Sequence, residues 1–423
     1  MKKIIALTLA LAMLAGCLFA LTSCGDDESD KPVAYVLAEK GDTYSLGLSN
    51  NFKTAFEALG GEVIMETFTT GTTNFSDYIQ RAIDKKADVI FAPNSTTVAS
   101  NLLSQAKDLG IECPILAGDT WESSVILDAV AGSDLNVYCS TFFDEGDSSG
   151  TAKTFVTGFK TWLNNNKEYK DMNGGNDIVA AVSALGFDAY NVAYAAIEKA
   201  AASKGSALTS IDIAEALWTL TYQDAVTGAI TFDKNGDAIK DKAYIKKAGN
   251  GEFVYEKVQT ITSTATPATA FDYGTKTGVA LDTQSKKITI GIYEPTTGAN
   301  AAGGKQEVLG IYYANSLKNS ITIGGEVYTI ETYLSDNGSL EANAKLAAGS
   351  IVSKNALVAL GSYGSGVSIA AASTFEDAGI PAIGVSCTNA SVTENHNFYF
   401  RTCFLDPFQG SVMAQFAWDL ANK

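Results

Sequence analysis

The most constraining stretch of this chain runs from Ala356 to Asn389, where two strand-loop-helix units follow one another directly. Residues 356–360 (ALVAL) are apolar at every position, the pattern of a strand buried on both faces of a parallel sheet. The next eight residues, GSYGSGVS (361–368), hold three glycines and three serines ahead of a small-residue helix over Ile369–Ala378. Gly379 ends that helix, Ile380–Val385 is the next buried strand, and Ser386, Cys387, Thr388 and Asn389 follow. Two loops therefore leave one sheet edge side by side. Each offers hydroxyls and unpaired backbone N–H groups near a helix start, which suits an anion such as a carboxylate. Ser365 and Thr388 are the leading ligand contacts on this pattern; helix capping is the other reading of both hydroxyls.

The same rhythm recurs from Val33. Strands at Val33–Leu37, Glu62–Phe68, Asp88–Ala92, Ile115–Ala117 and Val137–Phe143 alternate with helices, so the pattern predicts a parallel, doubly wound α/β sheet. In such sheets a ligand sits beyond the carboxyl ends of the strands. The residues found there are EKGDTYSLG with Tyr44, PNSTT with Thr96, and GDTWES with Asp119 and Trp121. A carboxylate at Asp119 suits an ammonium group, or it caps the following helix. Later come a helical stretch over Ser183–Ala202, a helix at Ile211–Leu220 and two hairpins between Ala229 and Val258. Residues 259–286, rich in Thr, Ala and Ser, read as a linker, after which Lys287–Tyr293 opens a second βα series.

Composition removes several function classes. A net charge of −17 argues against nucleic acid as a partner, since phosphate neutralisation needs a basic face. A single histidine, His396, rules out His-based triads and multi-His metal sites within one chain. Asp233, Asn235 and Asp237 imitate the start of a calcium loop, but Ala238 and Tyr244 stand where that loop needs Gly and Glu. No Walker loop or nucleophile-base pair is present, so neither enzyme chemistry nor a cofactor or metal is expected.

Lys2 and Lys3 precede an apolar run, Ile4–Leu21, that has the form of an export signal. LTSC (21–24) resembles the bacterial lipobox, with Cys24 as the lipidated residue and 25–30 as a polar tether; LAGC (14–17) offers Cys17 as the alternative. The expected location is thus outside the cytoplasm: lipid-anchored on the outer face of the bacterial cytoplasmic membrane, or periplasmic. Cys113, Cys139, Cys387 and Cys403 are too scattered to form a disulfide framework, and buried free thiols are expected.

Taken together, several segments resemble substrate-binding proteins of ABC importers, of the branched-chain amino-acid (Leu/Ile/Val-binding) type. They are ITIGIYEPTTGANAAGGK (288–305), the 361–368 and 386–389 loops, FRTCFLDPFQG (400–410), GFDAYNVAYAAIEKA (186–200) and VTGAITFDKNGD (226–237), with the Tyr44 and GDTW segments. The resemblance implies the periplasmic-binding-protein type I fold: two doubly wound, Rossmann-like lobes that close like a clam shell on a free amino acid. It implies a monomer that hands this ligand to an ABC permease; a sensor of the same fold feeding a signalling partner, or a binder of another small amide or carboxylate, is the alternative.

Carried over by position, Ser365, Ser386 and Thr388 fall where first-lobe groups hold the ligand's carboxylate and ammonium. Tyr44 and Asp119 fall where the second lobe closes over it, Asp119 matching the acid that binds the ammonium. Tyr363, Gly364, Thr96 and Trp121 complete the expected set. Gly364 replaces a cysteine seen in some relatives, and Thr96 lies near a position that is often aromatic.

The order departs from the family. There the counterpart of 288–423 comes first and that of 31–258 second, so this chain resembles a circular permutation; a rearranged gene product that does not fold is the other reading. On the permuted reading 31–141 with 243–258 forms the lobe matching the family's second, and 142–242 with 287–423 the lobe matching its first. Lys31 and Lys423 should then lie close together.

Overall fold

The computed structural model describes residues 31–147, 150–249 and 251–423. The expected signal segment, the tether, and Cys17 and Cys24 lie outside the described residues. From Pro32 the chain runs β1 (Val33–Lys40), α1 (Thr43–Ala58), β2 (Glu62–Thr69), α2 (Ser76–Asp84), β3 (Val89–Phe91), α3 (Thr96–Asp108), β4 (Ile115–Ala117), α4 (Ser124–Val130) and β5 (Val137–Thr141). Helices α5 (Gly150–Asn164), α6 (Lys167–Met172), α7 (Ala181–Lys204) and α8 (Ser210–Trp218) come next. A short ribbon of β6 (Thr221–Tyr222) and β7 (Ile230–Thr231) precedes the hairpin β8 (Lys242–Gly249) and β9 (Glu252–Thr260). The last part holds β10 (Lys287–Ile292), α9 (Ala301–Leu317), β11 (Ser320–Ile323), β12 (Glu326–Leu334), α10 (Glu341–Ser353), β13 (Val358–Leu360), α11 (Ser365–Ala378), β14 (Ala382–Gly384), β15 (Tyr399–Arg401) and α12 (Asp406–Ala421).

These strands form two large sheets. The first has the order β2-β1-β3-β4-β5-β8-β9, parallel through β5 with the hairpin added antiparallel. The second has the order β11-β12-β10-β13-β14-β15, parallel except for β11. In each, five parallel strands follow the 2-1-3-4-5 arrangement of doubly wound folds, which puts the strands' carboxyl ends along one edge. The short central strands β3, β4, β13 and β14 are buried along their whole length, as their unbroken apolar runs require.

Helix α12 differs from the expected lobe boundary. It follows β15 of the second sheet, yet packs against α1, β3, β4 and β5 of the first. Its apolar face, with Val412, Met413, Phe416 and Ala417, is what the first sheet needs to cover one side of β3–β5. The crossover between sheets therefore falls at about 402–405, before the chain's last helix.

Residues 261–286 contain no regular element but are tied down. Ala268 N–H donates to the Phe232 carbonyl (2.8 Å), Leu281 N–H to that of Leu208 (2.9 Å), and Ser210 N–H to that of Val279 (2.8 Å). Phe271 stacks on Trp218, whose Nε1–H donates to Tyr273 Oη (2.9 Å), and Tyr273 in turn donates to the Asn397 carbonyl (2.5 Å). The segment is thus a strap over the second sheet's helices. The four described cysteines are free, three of them buried. Among the described residues no helix is long and apolar enough to cross a membrane.

Candidate functional site

A cleft lies where the strand ends of the two sheets meet, lined by Asp42, Tyr44, Ser95, Asp119, Thr120, Asn300, Tyr363, Gly364, Ser365 and Ser386. Two hydrogen bonds cross between its walls, from Thr97 Oγ1 to the Ala299 carbonyl (3.2 Å) and from Asn389 Nδ2 to the Thr43 carbonyl (3.2 Å). A cavity of about 20 Å³ remains between the walls. That is room for a water and not for a larger solute, so entry requires the walls to part.

The wall from the first sheet is built around Asp119, which is 3 % exposed. Its Oδ1 accepts from Tyr44 Oη (3.0 Å) and from Gln409 Nε2 (2.8 Å), and Gln409 also reaches Ser140 Oγ (2.9 Å). Ser123, not Asp119, caps α4. Burial raises the Asp119 carboxyl from its ordinary value to about 6, against the hydrogen bonds from Gln409 and Tyr44 that favour the ion. Gly118 makes this packing possible: a Cβ there would overlap the Tyr44 hydroxyl. Asp42 caps α1 through Ser45 N–H (2.7 Å), and burial raises its carboxyl too.

The opposite wall comes from the loops after β13 and β14. Gly364, at φ +105°, is the N-cap of α11 and supplies no side-chain acceptor to its first N–H groups. Ser365 does not cap its own helix; its Oγ accepts from Asn389 N–H (3.1 Å), joining the two loops. Tyr363 lies back over Gly303, where any Cβ would strike its ring.

Arg401, wholly buried on β15, holds the second loop in shape. Its guanidinium donates to the carbonyls of Cys387 (2.7 Å) and Asn389 (2.6 Å), to Thr393 Oγ1 (2.9 Å) and to Asp237 Oδ1 (2.6 Å). Asp237, which in sequence imitates a calcium ligand, is therefore the partner of a buried arginine.

Six of the expected residues meet at the cleft: Tyr44, Asp119, Tyr363, Gly364, Ser365 and Ser386. Three do not line it. Thr96 is buried at the first position of α3, and its neighbour Ser95, the α3 N-cap, takes the lining place. Trp121 is turned into the core with its Nε1–H on the Asn94 carbonyl (3.1 Å). Thr388 is fully buried beside Asp406, whose carboxyl burial raises to about 7. Asp42, Ser95, Thr120 and Asn300 join the lining from the same strand-end loops that carry the expected residues, and those loops were the available signal.

A cleft between the carboxyl edges of two doubly wound sheets is the architecture of the periplasmic-binding-protein type I fold. The chain belongs to the periplasmic binding protein family, whose model matches residues 28–252. No curated protein matches it. Among similar solved structures is a leucine-binding protein LivK from Thermotoga maritima, at 30% identity over 54% of this chain and 60% of that one, with a TM-score of 0.46. Another is the branched-chain amino-acid binding protein LivJ from Streptococcus pneumoniae in complex with isoleucine, at 20% identity over 56% and 61%, with a TM-score of 0.41. A fatty-acid ABC transporter substrate-binding protein from Thermomonospora curvata aligns at 17% identity over 56% and 58%, with a TM-score of 0.40. The chain spans about three-fifths of the length of these proteins.

Proposed function

We propose that this protein captures a free amino acid, branched-chain or similar, between its two lobes and delivers it to an ABC import permease, working as an exported lipoprotein anchored through Cys24. The observation that carries the reading is the charge of the cleft. Asp119 is a buried carboxylate whose partners are a phenol and an amide, and the lining holds no lysine, arginine or histidine. A buried carboxylate without a cation is costly, and a ligand ammonium supplies the missing charge. Across the cleft the N-terminus of α11 and Ser365 offer donors for a carboxylate. Opposite charges at opposite walls fit a zwitterion, and they give each lobe a reason to close on it. Native mass spectrometry of the purified protein tests this: a co-purified amino acid is expected, and an acyl chain or a sugar in its place overturns the reading.

We also infer that the lobes stand in permuted order, with the region from 287 corresponding to the family's first lobe. The support is physical. Both sheets repeat one strand order, and helix α12, which follows the second sheet in the chain, packs against the first.

A further inference from the structure

Behind the cleft wall lie two glutamates, Glu294 after β10 and Glu307 on α9, both 0 % exposed. Each ties one carboxyl oxygen to a site loop. Glu294 Oε2 accepts from Tyr363 N–H (2.6 Å), and Glu307 Oε1 is hydrogen-bonded to Ser386 Oγ. Glu294 Oε1 and Glu307 Oε2 receive no donor from the described residues, and the two carboxyls are in hydrogen-bonding contact with each other. Two ionised carboxylates in dry contact repel, and neither has a hydrogen to offer; one proton held between them satisfies both oxygens. We propose that Glu294 and Glu307 share a proton and so fix the hydrogen-bond polarity of the cleft wall, making Ser386 an acceptor there.

The consequence follows from counting protons. Ser386 gives its only hydrogen to Glu307, so its remaining lone pair faces the cleft and takes a donor, the ligand's ammonium. Ser365 accepts from Asn389 N–H and keeps its own hydrogen, so it faces the cleft as a donor to the ligand's carboxylate. Both glutamates are positioning residues: they touch no ligand and act through Ser386 and through the Tyr363 backbone. Burial raises Glu294 to about 8 against the hydrogen bond from Glu307, and burial with the neighbouring Glu294 raises Glu307 well above its ordinary range. Ser362 and Cys387 face Glu294, and Ser386 and Asp119 face Glu307, with Tyr293 and Tyr363 beside them. Burial holds the Cys387 thiol up at about 11 and both phenols higher than usual, while Asp119, at about 6, is ionised above neutrality. Asp406, at about 7, and Lys240, at about 8, titrate in the same range, so the pair is read as the difference between the native protein and its variants.

The test compares the mature native protein with Glu294→Gln and Glu307→Gln, in each of which an amide N–H stands in for the shared proton. Infrared difference spectra at neutral pH, native minus variant, should show a protonated-carboxyl band for each variant, the contribution of Asp406 being common to all three and cancelling. Native Tm should fall relative to both variants as pH rises from about 5 to 8 and then level off, because the folded pair keeps its proton after the unfolded chain has lost its own. Equal protonated-carboxyl intensity in all three proteins, or three parallel melting curves, overturns the pair. Only the ligand arm rests on the function proposed above. With L-leucine as calorimetric probe at pH 7, Glu307→Gln should bind within threefold of native because its amide carbonyl still accepts from Ser386, whereas Glu307→Leu, which frees the Ser386 hydrogen toward the cleft, should bind at least tenfold more weakly. Equal affinity of all three overturns the polarity argument. If none of the twenty amino acids binds the native protein, the amino-acid reading fails, while infrared and melting still decide the pair.

Discussion

At the scale of single residues, Asp119 ties the ligand reading to measurable numbers. Burial raises its pKa from an ordinary 3.8 to about 6, so its ionised form destabilises the unliganded protein by about 3 kcal/mol at neutral pH. The sign is fixed: this penalty is absent below the ordinary value, grows as pH rises and is complete above 6. Asp119→Asn should therefore leave the apo Tm at pH 7 unchanged or higher. Affinity should move the other way. Removing one member of a buried charge pair costs about 2–5 kcal/mol, so binding of the identified amino acid should weaken at least ~30-fold. Below pH 6 the native protein should lose about tenfold in affinity per pH unit as Asp119 is protonated, and the Asn variant should not. Calorimetric titration from pH 5 to 7.5, paired with melts, measures all three. An Asn variant that binds as tightly as native removes the ammonium from this position.

At the scale of elements, the loops after β13 and β14 depend on a strand they do not belong to. Arg401→Met leaves Asp237 buried without its cation and frees the carbonyls of Cys387 and Asn389. Breaking a buried pair by removing one partner typically costs about 3–5 kcal/mol. Urea unfolding should show a loss of that size, and ligand affinity should fall with it because Ser386 sits on the released loop. A loss below about 1 kcal/mol would mean that the loop holds its shape without the arginine. The strands, the loops and six of the lining residues were legible in the sequence, because unbroken apolar runs mark buried parallel strands and ligands gather at their carboxyl ends. What was not legible depended on rotation and partnership. Ser95 and Thr96 differ by one position at a helix start, and only the helix's orientation decides which one faces the cleft. Trp121 turns inward because the Asn94 carbonyl offers its indole N–H a partner. No pattern in the sequence pairs Glu307 with Glu294; only the fold sets them together. The last helix reads as the end of one lobe, yet the apolar face of α12 covers the other sheet.

At the scale of the whole molecule, the proposed permutation predicts that the chain can be rejoined. Pro32 is held at its carbonyl by Glu62 N–H (2.9 Å), Gly60 lies beside the Trp418 ring, and Lys257 is paired with Asp419 (3.0 Å). From Trp418 the remaining helix and its end add about 7 Å to Lys423. An eight-residue Gly/Ser segment reaches up to about 26 Å and can join Lys423 to Pro32 without strain. Opening the chain between Thr260 and Ile261 leaves the strap attached to β10 and keeps Phe271 and Tyr273 on Trp218. Both orders bury the same side chains, and loop-closure entropy changes slowly with length, so stabilities should agree within about 1–2 kcal/mol. The chain reordered as 261–423, linker, 32–260 should thus fold as a monomer, give the same far-ultraviolet circular dichroism and bind the identified amino acid within threefold of the natural order. Failure of the reordered chain to fold, alongside a natural order that folds and binds, would show that the present order is required, and the permutation reading would fall with it.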